Sequence, residues 1–200
     1  MGSTRINYWE GNRVQVTNRV AATGQSEITK LVASAASGNF EAFGKLYHIY
    51  VEQIYRYVFY QVRDKMTAED ITEDVFVRAL DKIQSCKGRE STFSSWLYRI
   101  AHNRVIDSFR SARKDVPIKA ELADNLDDPK QQAGSKIEQQ ELLEAISQLP
   151  QYQKQFIVLK FIDGLDNRTI GRIMGKSQVA VRLLQLRATK ALRQKLGGEQ

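Results

Sequence analysis

The sequence predicts an all-α chain built as two small helical modules joined by a flexible linker. Three observations carry this. Apolar residues recur at three- and four-residue spacing in almost every ordered-looking stretch, and no stretch alternates as a half-buried strand does. The periodicity fails over residues 111–135, which hold Pro117, Pro129, Gly134 and several aspartates. The charge is also uneven. The chain of 200 residues has a net charge of +7, and residues 148–200 alone carry ten Lys and Arg against three Asp and Glu. A neutral module beside a strongly basic one suggests a nucleic-acid-binding unit joined to something else, the other reading being a solvated basic tail.

Residues 1–26 are polar and without a sustained period, and read as a mobile extension. From Glu27 the pattern is helical through Leu31, Val32, Ala35 and Ala36, and stops at Gly38-Asn39. It resumes with Phe43, Leu46, Tyr47, Tyr50, Val51, Ile54, Tyr55 and Val58, an amphipathic helix of four turns whose aromatics belong to a core. Thr67 reads as an N-cap with Asp70 as the partner of an approximate capping box. The helix that follows runs to about Ile83, with Ile71, Val75, Phe76, Leu80 and Ile83 inward and Asp70, Glu73, Asp74 and Arg78 outward. Residues 85–92 form a loop by composition. A further helix starts near Phe93, with Phe93, Trp96, Leu97, Ile100 and Ala101 toward the core and Asn103, Arg104, Asp107 and Arg110 on or near the polar side.

After the linker, Ile137, Leu142, Ala145, Ile146 and Leu149 lead to Pro150, and Phe156, Ile157, Leu159 and Phe161 end at Gly164. A short helix holds Ile170, Ile173 and Met174 with Gly175 at its C-terminus. Ser177 caps a last helix with the stripe Val181, Leu184, Ala188 and Leu192. Short helix, glycine turn, capped helix is the sequence form of a helix-turn-helix. Gln178, Arg182 and Gln185 on the second helix suit adenine and guanine edges. Arg168, Arg172, Lys176 and Lys190 suit phosphates. Val179, Leu183 and Leu186 lie opposite the apolar stripe, where they fit thymine methyls, another helix or a partner.

Two other groups carry residues that chemistry could use. The Trp96 helix and the Lys/Arg/Ser loop before it place basic and polar groups beside aromatics, as single-stranded nucleic acid requires, although Phe93 and Trp96 fit a core. Asp70, Glu73 and Asp74 fit a divalent metal site, an acid/base pair, or a solvated or partner-docking face. No second cluster supplies further ligands, and Arg78 sits one turn on, which favours a capped, solvated or partner-docking face over catalysis. One cysteine, Cys86, and two separated histidines, His48 and His102, leave no multi-Cys zinc site and no nucleophile–base pairing in the sequence, so no catalysis, cofactor or metal is expected. The N-terminus has no apolar signal core, and no apolar run reaches the ~18 residues of a membrane span. A cytoplasmic, nucleoid-associated protein without membrane insertion is expected.

Two segments resemble a known family. The run AEDITEDVFVRALDKI at 68–83 looks like the signature of region two of bacterial RNA polymerase sigma factors, and STFSSWLYRIAHNRVIDSFR at 91–110 looks like its continuation. Trp96-Leu97, Ile100-Ala101, Asn103, Asp107 and Arg110 fall on that family's spacing. Residues 149–193 resemble region four, and the layout is similar to the small extracytoplasmic-function (ECF) class. The resemblance implies sigma region two over 27–110, a linker over 111–135 that runs toward the RNA exit path, and sigma region four over 136–200. It further implies docking of Asp70, Glu73, Asp74 and Arg78 on the clamp helices of core RNA polymerase. Ser85, Lys87, Arg89, Asn103, Arg104 and Arg110 would open and hold the single-stranded minus-ten element. Arg168, Arg172, Lys176, Ser177, Gln178, Arg182, Gln185 and Lys190 would read the minus-thirty-five duplex. Contact with the polymerase flap and an anti-sigma partner are family expectations on which composition is silent. The chain departs from the family at Glu73, where Gln is frequent, at Thr169-Ile170-Gly171, where Glu-Ile-Ala is usual, and at Gln178-Val179. Two other functions stand beside this one: a stand-alone helix-turn-helix regulator that binds an operator without polymerase, and a metal-dependent enzyme on nucleic acid using the acidic group.

Overall fold

The computed structural model describes residues 23–115 and 141–197. The extension and most of the linker expected from the sequence lie outside the described residues. Every regular element among the described residues is helical: α1 Gln25–Ala36, α2 Phe40–Val62, α3 Lys65–Lys82, α4 Phe93–Asp115, α5 (141–147), α6 Gln151–Ile157, α7 Asn167–Met174 and α8 Gln178–Lys195. They gather into two compact units, one of residues 23–52 with 76–94, the other of residues 53–75 with 95–115 and 141–197.

In the first unit, α1 buries Ile28, Val32, Ala35 and Ala36, one helical stripe. That stripe packs on the short 3-10 turns Ile83–Cys86 and Glu90–Thr92. Asn39 caps α2, its Oδ1 accepting from the Ala42 N–H at 3.0 Å. Phe43, Leu46 and Tyr50 follow inward. Tyr50 meets Phe93 edge-on at 5.4 Å between centroids, and Tyr47 meets Phe76 at 4.8 Å. Cys86 is buried, and burial pushes its thiol up to about 11, so it behaves as a small apolar side chain rather than a nucleophile.

Two boundaries differ from the sequence expectation. The cap of α3 is Asp64, not Thr67: Asp64 Oδ2 accepts from the Thr67 N–H at 2.7 Å, and the helix starts at Lys65. Arg63 just before it adopts the left-handed region at φ 61°, which ends α2 and turns the chain. Helix α4 also runs on past Arg110 to Asp115. The apolar period stops there, but Ala, Arg and Lys sustain a helix without it.

The second unit is held by a polar set that apolar periodicity does not reveal. Arg56 of α2 donates from Nε (3.2 Å) and Nη2 (2.9 Å) to Oδ1 of Asp163, whose side chain is 1% exposed. A π turn over Val158–Ile162 carries α6 onward to that carboxylate, with the Asp163 N–H bonding back to the Val158 carbonyl at 3.0 Å. Burial pushes Asp163 up to about 6, against the pull of the Arg56 guanidinium and the Tyr98 hydroxyl beside it. The Gln155 amide donates to the Tyr57 hydroxyl at 3.0 Å and meets His102 Nδ1 at 2.6 Å. Gln151 donates to Gln61 Oε1 at 3.0 Å, and Arg63 donates to the Leu143 carbonyl at 2.8 Å. Helices α5 and α6 are thus fastened to α2 and α4 by bonds that each require one relative placement.

Two outcomes are expected. Arg56→Met leaves the Asp163 carboxylate buried without its cation and destabilises by about 3–5 kcal/mol. The double variant R56M/D163L recovers most of that loss in urea unfolding, and additive losses would contradict the pairing. The second concerns pH. Burial holds the His102 imidazole below its ordinary value, and an unprotonated Nδ1 is what accepts from Gln155. On acidification the unfolded chain binds the proton first, so the His102 contribution is complete above roughly pH 6.5 and is lost as pH falls from there through the lower value that the folded imidazole holds. The melting-temperature gap between wild type and His102→Asn therefore narrows from pH 7.5 to pH 5.5, the Asp163 titration being common to both. A gap independent of pH contradicts the assignment.

Candidate nucleic-acid interface

Helices α7 and α8 are fixed to each other by caps and one close approach. Asp166 caps α7: its Oδ1 accepts from the Thr169 N–H at 2.8 Å and its Oδ2 from the Thr169 hydroxyl at 3.0 Å. These bonds hold its carboxyl below the ordinary range. The Thr169 hydroxyl completes this cap. Gly175 closes α7 in the left-handed conformation at φ 63°, and the Lys176 N–H returns to the Gly171 carbonyl at 2.9 Å. A side chain at Gly171 would put its Cβ 2.9 Å from the Lys176 carbonyl oxygen, so the turn as it stands needs glycine. Ser177 then caps α8, accepting from the Ala180 N–H at 3.3 Å.

Val181, Ala188 and Leu192 of α8 are buried, and the helix packs on α6 and α7. At 3.6 residues per turn the opposite line holds Val179, Leu183, Leu186 and Lys190, flanked by Arg182 on one side and Arg187 on the other. All six are exposed. Gln178 is exposed too, but its amide nitrogen lies on the Gly171 side of the turn. Gln185 is half-buried, and its Oε1 accepts from Asn167 of α7 at 3.0 Å. Among the residues read from sequence as duplex contacts, Arg168, Arg172, Arg182 and Lys190 are thus exposed and the two glutamines lean toward α7. Lys176 sits over the Tyr152 ring at 4.8 Å, which steadies a half-buried cation at the turn.

In α3, Asp70, Glu73 and Arg78 are exposed. Asp74 is half-buried and paired with Arg104 of α4, which also reaches Asp107 at 3.7 Å. One residue read as polymerase-docking and one read as minus-ten-binding are therefore partners of each other, a coupling that spacing along two separate helices does not reveal. Asn103 and Arg110 are exposed on α4. Ser85, Lys87 and Arg89 are exposed at the 3-10 turns of the first unit, where the Ser85 hydroxyl donates to the Lys82 carbonyl at 2.7 Å. Trp96 is half-buried, whereas its neighbours Phe93 and Leu97 are fully inside. Among the described residues no three metal-ligating side chains come together, and no helix is long and apolar enough to cross a membrane.

The chain matches the family described as Sigma-70 region 2 over residues 46–115 and that described as Sigma-70, region 4 over residues 139–192. It is 34% identical over 176 residues to the ECF RNA polymerase sigma factor BldN of Streptomyces coelicolor, covering 86% of this chain and 67% of that one. It is 31% identical to the ECF RNA polymerase sigma factor SigW of Bacillus subtilis, covering 84% of this chain and 96% of that one. Among solved structures the fold is similar to CnrH in complex with the cytosolic domain of CnrY, with a TM-score of 0.66 and 22% identity over 86% of this chain and 99% of that one. It is also similar to the sigma factor RpoE in complex with the anti-sigma factor NepR from Bartonella quintana, with a TM-score of 0.62 and 17% identity over 79% of this chain and 98% of that one. A capped helix-turn-helix whose outward face is flanked by cations, an acidic helix, and family matches to both regions in one chain lead to one assignment: the protein belongs to the ECF class of RNA polymerase sigma factors.

Proposed function

We propose that this chain binds core RNA polymerase and directs it to specific promoters, with no catalysis of its own. Residues 27–115, to the end of α4, act as the docking and melting module, 116–135 as the linker and 136–200 as the duplex reader. The observation that carries the reading is the division of surface charge between helices. Asp70 and Glu73 present an exposed acidic face on α3, while α8 carries Arg182, Arg187, Lys190, Arg193 and Lys195 and no carboxylate. A DNA-only regulator has no use for the first surface, and an acidic face beside DNA is repelled by phosphate. A factor that must hold a protein with one module and duplex with the other needs both.

In this scheme Asp70, Glu73, Asp74 and Arg78 meet the polymerase clamp helices. Arg104 is held by Asp74 and Asp107 so that Asn103, Arg104 and Arg110 meet the melted minus-ten strand with Ser85, Lys87 and Arg89. Unstacking those bases costs a few kcal/mol, and capture of the extruded bases offsets it. Each module alone binds weakly, and the polymerase, by presenting both promoter elements, makes them one bivalent reader. Contact of region four with the polymerase flap belongs to the same proposal. So does an anti-sigma partner, supported by a structural neighbour solved with one.

The expected outcome separates the two surfaces. D70K/E73K loses co-elution with core polymerase in gel filtration while keeping its circular dichroism spectrum. Arg182→Ala keeps co-elution but weakens promoter binding by about tenfold, as loss of one base-edge contact does. Retention of core binding by D70K/E73K contradicts the docking assignment.

A further inference from the structure

The apolar line on the outside of α8 has no role in holding the fold. Val179 is 65% exposed, Leu183 50% and Leu186 69%, although the same helix buries Val181, Ala188 and Leu192. Three large apolar side chains at i, i+4 and i+7 on the outward face of a second helix-turn-helix helix are costly in water, so something covers them in use. The chemistry around them limits what. Arg182 and Arg187 flank the line, Lys190 continues it, and α8 has five cations and no acidic residue. An apolar strip inside a border whose charges are all cationic complements a polyanion that itself carries apolar spots. The major groove of duplex DNA offers both: phosphates along its edges, and on its floor the 5-methyl group of every thymine. With Gln178 and Gln185 leaning toward α7, the groove-facing positions are these aliphatic side chains together with Arg182.

We infer that Val179, Leu183 and Leu186 read thymine 5-methyl groups in the duplex promoter element, with Arg182 supplying the polar contact beside them. The inference rests on the proposal that α8 enters the duplex. It adds that α8 selects through apolar complementarity, so the element holds two or more thymines, on either strand, next to the base pair that Arg182 contacts. A groove floor of cytosines and guanines would leave the strip against polar edges and be rejected.

The test uses holoenzyme reconstituted from the full chain and core polymerase, and duplexes that it selects from a random pool. Each thymine of the upstream element is replaced in turn by 2′-deoxyuridine, which removes the methyl group and leaves base pairing intact. The inference expects about fourfold weaker binding per methyl contacted, the ratio equivalent to ~0.8 kcal/mol for one methyl-sized group. It also expects V179A, L183A and L186A each to lose sensitivity at their own positions, with melting temperatures unchanged because the side chains are exposed. Binding unaffected by deoxyuridine at every position, with Arg182→Ala still weakening it, overturns the thymine reading and leaves duplex binding by α8 standing. Stripe variants that bind DNA normally but lose co-elution with core overturn it in favour of polymerase docking. Arg182→Ala and the stripe variants all binding as wild type overturns duplex entry by α8 itself.

Discussion

The functional surface depends on one packing constraint, the burial of Val181, Ala188 and Leu192 of α8 on α6 and α7. A helix has a single way to present its remaining faces once one line is fixed. That line turns Val179, Leu183, Leu186 and Lys190 outward together. The caps of Asp166 and Ser177 and the left-handed Gly175 set where each helix begins and ends. Gly171 lets the turn pass close enough for Lys176 to bond back to α7. Small elements therefore decide the aim of a large surface. A change at the turn would redirect every side chain on α8 without touching one of them.

The buried polar set around Asp163 has a different consequence. Apolar packing tolerates sliding, because one methyl group substitutes for another. The pairs Arg56–Asp163, Gln155–Tyr57 and Gln151–Gln61 do not, since each loses its bond within an ångström of displacement. Their desolvation makes them modest contributors to stability and strong selectors of one arrangement. They also set the acid response of this unit, because Asp163 and His102 both have shifted titrations.

The helices and most of their inward faces were legible in the sequence because the 3.6-residue period is local, although Tyr47, read inward with the other aromatics of α2, is exposed. Val32, Leu46, Val75, Leu97 and Val181 are buried in the structure as their spacing required. The cap of α3 is not legible in the sequence because Thr67 and Asp64 are both good capping residues three positions apart, and only the turn at Arg63 decides between them. The π turn after α6 was hidden because it breaks the very period being read: Phe156, Ile157, Val158 and Leu159 are buried in succession, which no α-helical stripe does. Arg56, Tyr57, Gln61, Tyr98, Gln155 and Asp163 do not stand out in the sequence because polar residues reveal burial only through partners 53 to 107 positions away. One signal was available: Tyr57 and Gln61 continue the helical spacing of Tyr50 and Ile54. The candidate site was legible as two charged faces. The tie between Asp74 and Arg104 and the lean of the glutamines needed the packing of separate helices.

The account as a whole claims that two weak readers become one promoter-specific factor only on the polymerase. Run-off transcription by purified core polymerase, on a pool of fragments from the source genome, tests this most directly. Discrete transcripts that appear only when the protein is added, with start sites preceded by two shared elements, are the predicted result. The absence of transcripts, together with tight binding of the free protein to a two-fold symmetric operator, would contradict it.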